Sequence, residues 1–297
     1  MRIYSVGSVN VDQVCWVDMA GAVGESIPIT QYDRSLGGKG LNQAEAARRA
    51  GCVDILFMGC IGDDVFGDWV GMELRQRGFD TKNFQIKPGV FTGHVVIQHE
   101  GTSGSKMFYY GGANDHISLS MVQDFLSAAM TGDIFVCQNE VSGVADFIKH
   151  ARELGMKICF NPSPSIPKDD TIYTKCEWVF INEHEYEHYR RLFKSGDDLD
   201  DLVGLKKAMG CRHLIVTFGK DPVLGVDDLN TVYTINVPKR EIVDTVGAGD
   251  CLVGYFVASV AKGQSFKQAL ESAVLAASIK VTRHGAFDGI PYIEDLS

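Results

Sequence analysis

The stretch that decides the fold reads Asp244-Thr-Val-Gly-Ala-Gly-Asp250, followed by Cys-Leu-Val-Gly-Tyr-Phe256. A loop of small residues opens directly into an apolar helix. The amides of Gly247, Ala248 and Gly249 then point unpaired out of the helix start, a position that favours an anion. Glycine lets the backbone approach a phosphate closely and form a concave nest of N–H groups. Asp250, in the first helical turn, is placed to accept a proton from an attacking hydroxyl while those amides stabilise a transferred phosphoryl group. A bare GxGD is equally an ordinary helix start, where the macrodipole favours an acidic residue. The full seven-residue string weighs against that plainer reading.

Upstream, Ser35-Leu-Gly-Gly-Lys-Gly-Leu-Asn-Gln-Ala44 runs into an Ala-rich helix that ends near Gly51. Gly38 and its neighbours again allow close backbone approach at a helix start, with Lys39 and Asn42 as the polar side chains. Gln43 stands where the dinucleotide fingerprint needs glycine, and no GK[ST] of a Walker A loop is present. A plain glycine-rich turn explains this segment as well. The first strand exits through Gly7-Ser-Val-Asn10-Val-Asp12, at the edge where open α/β sheets bind ligands. Asn10 and Asp12 are two apart, so in an extended segment they face one side, and a carboxylate with an amide suits a polyol. Taken alone, a polar strand exit fits these residues equally.

The rest of the chain alternates short β-rich runs with helical stretches. Ile3–Val6, Ile55–Met58, Ile134–Cys137, Lys157–Phe160, Trp178–Ile181 and His213–Thr217 read as buried strands. Asp63–Arg77, Ser120–Ala129, Ser142–Leu154, Leu199–Met209, Gly249–Ala261 and Phe266–Thr282 read as helices, the last capped by Ser265. Such alternation predicts a mostly parallel sheet covered on both faces. Two regions, about 11–35 and 87–112, carry strand-like runs (Phe91–Gln98, Lys106–Tyr110) without a long helix between them. They predict a small β-sheet protruding from one domain spanning 1–297.

Composition bounds the partners. The 297 residues are 45% hydrophobic and carry a net charge of −10, with no block of Lys or Arg. That argues against nucleic acid or an anionic membrane as the main partner, because both need a basic footprint. The longest apolar-rich run, Leu252 to Ala261, is too short to span a bilayer. No two of the eight cysteines form CxxC, so they read as reduced core thiols, and a cytoplasmic location is expected.

Taken in order, these segments resemble one family, the ribokinase-like (PfkB-type) carbohydrate kinases, on its ribose-phosphorylating side. The resemblance runs from GSVNVD (7–12) and GGKGLNQA (37–44) through GDD (62–64), Thr92-Gly93, GGAN (111–114), Glu140 and NPSP (161–164). It continues through Asn182-Glu-His-Glu185, VTFG (216–219), DTVGAGD (244–250) and VTRHGA (281–286). It implies a Rossmann-like three-layer α/β fold with a β-lid, and an ATP- and Mg²⁺-dependent kinase acting on a small carbohydrate. D-ribose, converted to ribose 5-phosphate, is the expected substrate. By this resemblance Asp250 is the base and Gly247, Ala248 and Gly249 form the anion hole. Asn10, Asp12, Gly38, Lys39, Asn42 and Glu140 hold the sugar, and Asn182 and Glu185 organise Mg²⁺ and phosphates. Thr217 and Gly219, with Asn182 and Gly249, lie along the nucleotide. Asp244, Val246, Lys280, Arg283, Gly285 and Gly289 match a monovalent-cation site bound through backbone carbonyls, so K⁺ is an expected activator. A homodimer through the lid is the expected assembly.

Three departures bear on this picture. Lys-Asp-Pro222 follows Gly219 where relatives have glycine, the lid strand Met-Phe-Tyr-Tyr110 is bulky, and Lys280 stands in the cation site. If only the Lys280 carbonyl is used, a cation still binds; if its ammonium enters, it replaces the ion. His184-Glu-Tyr-Glu-His188 matches HExxH, but it overlaps the NxxE pattern and no third ligand is spaced for it. Other readings on this fold are a kinase of another sugar, sugar acid, sugar phosphate or nucleoside. From other classes come a catalytically silent sugar-binding regulator and a nicotinamide oxidoreductase, the latter lacking its GxGxxG.

Overall fold

Successive residues of a buried strand face opposite sides of a sheet, and here each side meets its own core. The computed structural model describes residues 1–18, 24–52, 54–100, 104–165, 170–193 and 202–296. In chain order it opens with β1 (Ile3–Val6), β2 (Asn10–Val17), β3 (Gln31–Gly37), α1 (Lys39–Arg49) and β4 (Ile55–Met58). There follow β5 (Cys60–Gly62), α2 (Val65–Gln76), β6 (Gln85–Lys87), β7 (His94–Glu100), β8 (Gly104–Tyr110) and α3 (Leu119–Phe125). Then come β9 (Ile134–Gln138), α4 (Val144–Glu153), β10 (Lys157–Asn161), β11 (Trp178–Asn182), α5 (Glu183–Leu192) and α6 (Leu202–Met209). The chain ends in β12 (His213–Phe218), β13 (Asp221–Val226), β14 (Val232–Ile235), α7 (Ala248–Ala261) and α8 (Phe266–Lys280).

Among the described residues eight strands form one sheet in the order β14-β13-β12-β11-β10-β9-β1-β4. Pairs from β4 to β12 are parallel, and β13 and β14 add an antiparallel edge. Phe135 and Cys137 of β9 join Phe147 and Ile148 of α4 in one core. Ile134 and Val136 join Val253 and Phe256 of α7 and Leu270 of α8 in the other. Each fully buried large apolar side chain contributes roughly 1.5–3 kcal/mol, so both faces need their helices. This is a three-layer sandwich. A separate four-stranded sheet, β3-β2-β7-β8, carries the protruding segments, and β5 pairs with β6. Among the described residues no helix is long and apolar enough to cross a membrane. All eight cysteines are unpaired.

Several boundaries differ from the sequence reading for local reasons. The Asp64 side chain accepts from the Gly67 amide, so α2 starts at Val65 rather than at Asp63. Ser118 caps α3, which ends by Phe125 and not at Ala129. Gly143, in a left-handed conformation, delays α4 to Val144. β7 begins at His94, not Phe91, because Thr92 is bonded to the Asp64 carboxylate and Gly93 to the Val11 amide. Of the helix expected over Leu199–Met209, residues 199–201 lie outside the described residues, as do 19–23 and 101–103 of the two lid segments. Ser265 caps α8 in a reciprocal box with Gln268, as its position suggested.

Candidate active site

The chain runs from β1 to β4 on one side and later to β9 on the other, so the sheet order reverses between β1 and β9. Ligands of open α/β sheets sit at that crevice, outside the carboxyl ends of the strands. Ser8, just past β1, donates to Glu140 Oε2, just past β9, and the Lys39 amide donates to the same oxygen at 3.1 Å. Gly38 makes this approach possible. Its φ is 98°, and a Cβ there would lie 2.6 Å from the Ser8 carbonyl. Asn10 and Asp12 open β2, both buried. Asn114 Nδ2 fixes Asn10 by donating 2.8 Å to its Oδ1, while Asn114 itself is clamped to the Val9 backbone.

Asp250 meets this group from the other side. Gly247, whose φ is 78°, is the N-cap of α7, and no side chain among the described residues caps that helix. The Ala248 amide is turned to the Thr245 carbonyl at 3.2 Å. The Gly247, Gly249 and Asp250 amides have no backbone acceptor among the described residues, and a Cβ on Gly249 would face open space. Asn42 Nδ2 and Gln43 Nε2 donate to the two Asp250 carboxylate oxygens at 3.1 and 3.0 Å. Helices α1 and α7 come close enough for this because Gly254 has no side chain. A Cβ there would strike Ala46 and the Gln43 carbonyl.

The site is strongly acidic. Burial pushes the Asp12 carboxyl up to about 7, and Glu140 and Asp250 push the same way. Burial also raises Glu140, against the pull of Lys39 and Ser8. For Lys39 burial works downward, but Asp250, Glu140, Glu185 and Asp12 outweigh it and hold the ammonium above its ordinary value. One cation therefore sits among four carboxyl groups. Asn42 Oδ1 is buried without a partner among the described residues, an acceptor for a ligand's hydroxyl.

A cleft of about 980 Å³ extends from Lys39 and Asp250 along the carboxyl ends of β10 to β12, past Asn182, Thr217 and Gly219. Gly219, Lys220 and Asp221 line it and Pro222 does not. Pro222 is the second residue of β13, at the register shift against β12 and before the first pair with β14, so no ladder N–H is required of it. Asn182 Oδ1 accepts from the Glu185 amide and Glu185 Oε2 accepts from the Asn182 amide, each at 2.9 Å. The NxxE pattern is thus a capping box at the start of α5. Burial raises Glu185, partly offset by the Asn182 amide and Ser163. Among the described residues no group of three or more His, Cys, Asp or Glu is placed to hold a metal. Hard oxygen donors in ones and twos suit Mg²⁺, which keeps its waters and leans on phosphates.

The residues expected to bind a monovalent cation meet at Asp244, whose carboxylate accepts from the Val246 amide and the Gly285 amide, both at 2.9 Å. Its carbonyl accepts from Lys280 Nζ at 2.9 Å. The carbonyls of Lys280 and Gly285 already accept from the Arg283 and Gly289 amides.

Several residues of the site carry no signal that was read as function. Ser8, Gln43 and Asn161 act only through partners distant in sequence, and Asn114 lies inside the GGAN segment without a role assigned. Tyr109 is the clearest case. Register pairs it through Val95 with Asp12, so the three share one face of the small sheet. Its hydroxyl donates 3.0 Å to the Glu140 carbonyl. Tyr110 faces the other way and packs against His94, ring centroids 5.1 Å apart and tilted by 38°.

Comparison with known proteins agrees with this geometry. The model of the pfkB family of carbohydrate kinases matches residues 2–292. The ribokinase of Haemophilus influenzae is 30% identical over 294 residues, covering 96% of this chain and 94% of its own. The crystal structure of Thermotoga maritima ribokinase superposes with a TM-score of 0.89 at 26% identity, covering 100% and 98% of the two chains. Cryptococcus neoformans ribokinase, solved in complex with ADP, gives 0.81 at 27% identity over 99% and 98%.

Proposed function

This chain belongs to the pfkB family of carbohydrate kinases, phosphotransferases with an alcohol acceptor, and from that premise we propose that it converts D-ribose and ATP to ribose 5-phosphate and ADP. The observation that carries the reading is the position of Asp250. It closes the inner end of the nucleotide-sized cleft and is held by the two amides of α1 that border the polyol pocket.

In this mechanism the sugar's other hydroxyls bond to Asp12, Asn10 and the free Asn42 oxygen, and its reacting O–H faces Asp250. Asp250 takes the proton as the oxygen bonds to the γ-phosphorus and the bond to the β-phosphate oxygen breaks, releasing ADP. The Gly247 and Gly249 amides receive the equatorial oxygens, while Lys39 stands between sugar and phosphate. Mg²⁺ bound to the phosphates near Glu185 and Asn182 would neutralise their charge. Positioning supplies most of the remaining acceleration. Docking of Tyr109 on Glu140 closes the lid and excludes water, which would otherwise accept the phosphoryl group.

Four carboxyl groups around one ammonium disfavour a sugar phosphate or sugar acid and favour a neutral polyol. The outer lid face, where Tyr32 and Phe108 are 53% and 59% exposed, is the surface we assign to pairing with a second copy; a monomer by size-exclusion chromatography with light scattering would remove that assignment. The test of function is ADP release with Mg-ATP against a panel of neutral sugars, sugar acids and nucleosides. Ribose-dependent release, lost by about 10² or more in Asp250→Asn with little change in KM, is the expected result. Sugar binding without turnover on any substrate would instead leave a silent binding protein.

A further inference from the structure

Among the described residues Lys280 is the largest charged side chain with no exposure at all. It closes α8, an otherwise largely apolar helix packed against α7. Burying an ammonium costs several kcal/mol unless its charge and its donors are met, so its partners matter. Nζ donates 2.9 Å to the Asp244 carbonyl and lies 3.7 Å from the Asp244 carboxylate. That carboxylate holds the Val246 amide on one strand of loop and the Gly285 amide on another. Asp244 and Val243 amides in turn donate to the Val281 carbonyl, one residue past Lys280. A single buried positive charge therefore ties 243–246 to 280–285. The next residues along the chain from Val246 are the amides at the start of α7 and then Asp250.

We propose that Lys280 is a built-in cation: its ammonium occupies the place that a monovalent metal ion would take beside Asp244, and it braces the amide loop that leads to Asp250. The residues do not fit K⁺. A metal ion at Asp244 would have to share its carbonyl and carboxylate with a fixed ammonium of the same charge. Burial lowers the Lys280 pKa, and Asp244, Cys251 and Asp250 oppose that fall. Lys280 does not line the cleft and is a positioning residue. Its consequence is independence from K⁺.

The inference rests on the loop of Asp250 being the catalytic one, so one arm of the test does not use activity. The full chain is prepared in tetramethylammonium buffer and titrated with KCl, and both turnover and melting temperature are followed. For the wild type both stay flat. Lys280→Met in the same buffer loses about ten-fold or more in kcat, the scale on which misplacement of a catalytic loop acts. KCl restores the turnover of Lys280→Met and raises its melting temperature, as a ligand binding only the folded state must. Stimulation of the wild type by KCl in either readout overturns the proposal, as does a Lys280→Met protein equal to wild type without KCl. If that variant does not fold, the wild-type titration still decides. If no sugar is phosphorylated at all, the melting arm still does.

Discussion

Gln43 Nε2 lies 3.0 Å from Asp250 Oδ1, a hydrogen bond across 207 residues of chain. Gln43 also receives 2.7 Å from Gln138 Nε2 and donates 3.1 Å to Asn161 Oδ1. Asn161 in turn donates 2.9 Å to the Phe180 carbonyl. The carboxylate proposed as the base is thus aimed by a relay that touches β9, β10, β11 and α1. Replacing Gln43 by Leu leaves a buried acceptor unpaired, at about 1–3 kcal/mol. The expected result is a kcat lower by about 10–10², with KM for ATP little changed. Steady-state kinetics on Gln43→Leu check it, and an unchanged kcat would show that Asn42 alone orients Asp250.

The raised Asp12 carboxyl makes stability depend on pH with a definite sign. Its folded pKa, about 7, exceeds the ordinary 3.8, so the folded chain keeps a proton that the unfolded chain has released. Stability is therefore full below the ordinary value and falls as pH rises from there to about 7, by on the order of a few kcal/mol. Glu140, raised as well, acts in the same direction. Asp12→Asn should flatten the slope without abolishing it. Urea unfolding at pH 5 and pH 8 measures this, and equal losses in variant and wild type would contradict the burial argument.

Tyr109→Phe removes the hydroxyl that bonds the lid to the Glu140 carbonyl and leaves the ring in place. That bond is worth about 0.5–1.5 kcal/mol, so sugar KM should rise roughly two- to ten-fold. Wasted ATP hydrolysis in the presence of sugar should rise with it. Phosphate release measured beside sugar phosphate formation tests the closure role directly.

Gly254→Ala places a methyl against Ala46 and the Gln43 carbonyl, pushing α1 off α7. Overpacking of this kind costs about 1–3 kcal/mol. Because α1 carries Asn42 and Gln43, kcat should fall along with the melting temperature. A variant that is destabilised but fully active would separate helix packing from the alignment of Asp250.

Much of this was legible in one dimension because it depends on local chemistry. Strand runs such as Ile55–Met58 and the Ser265 cap follow from side-chain period and backbone hydrogen bonding, which need no distant partner. The same holds for the DTVGAGD loop, where consecutive residues make the helix start and the carboxylate together. The antiparallel strands β13 and β14 were not read, since Pro222 and the mixed polarity of 221–235 hide an edge whose pattern comes from its neighbours. In sequence Gln43 reads only as the residue that breaks the dinucleotide fingerprint, and Tyr109 as bulk in a lid strand. Lys280 was ambiguous in sequence between lending a carbonyl and lending an ammonium. The sequence by itself determined the layered α/β architecture, the amide loop and its carboxylate, because each is written in contiguous residues. Only the tertiary structure decided which amides aim Asp250, which lid face meets Glu140 and where the Lys280 charge goes, because those bonds join residues that are neighbours in space and far apart along the chain.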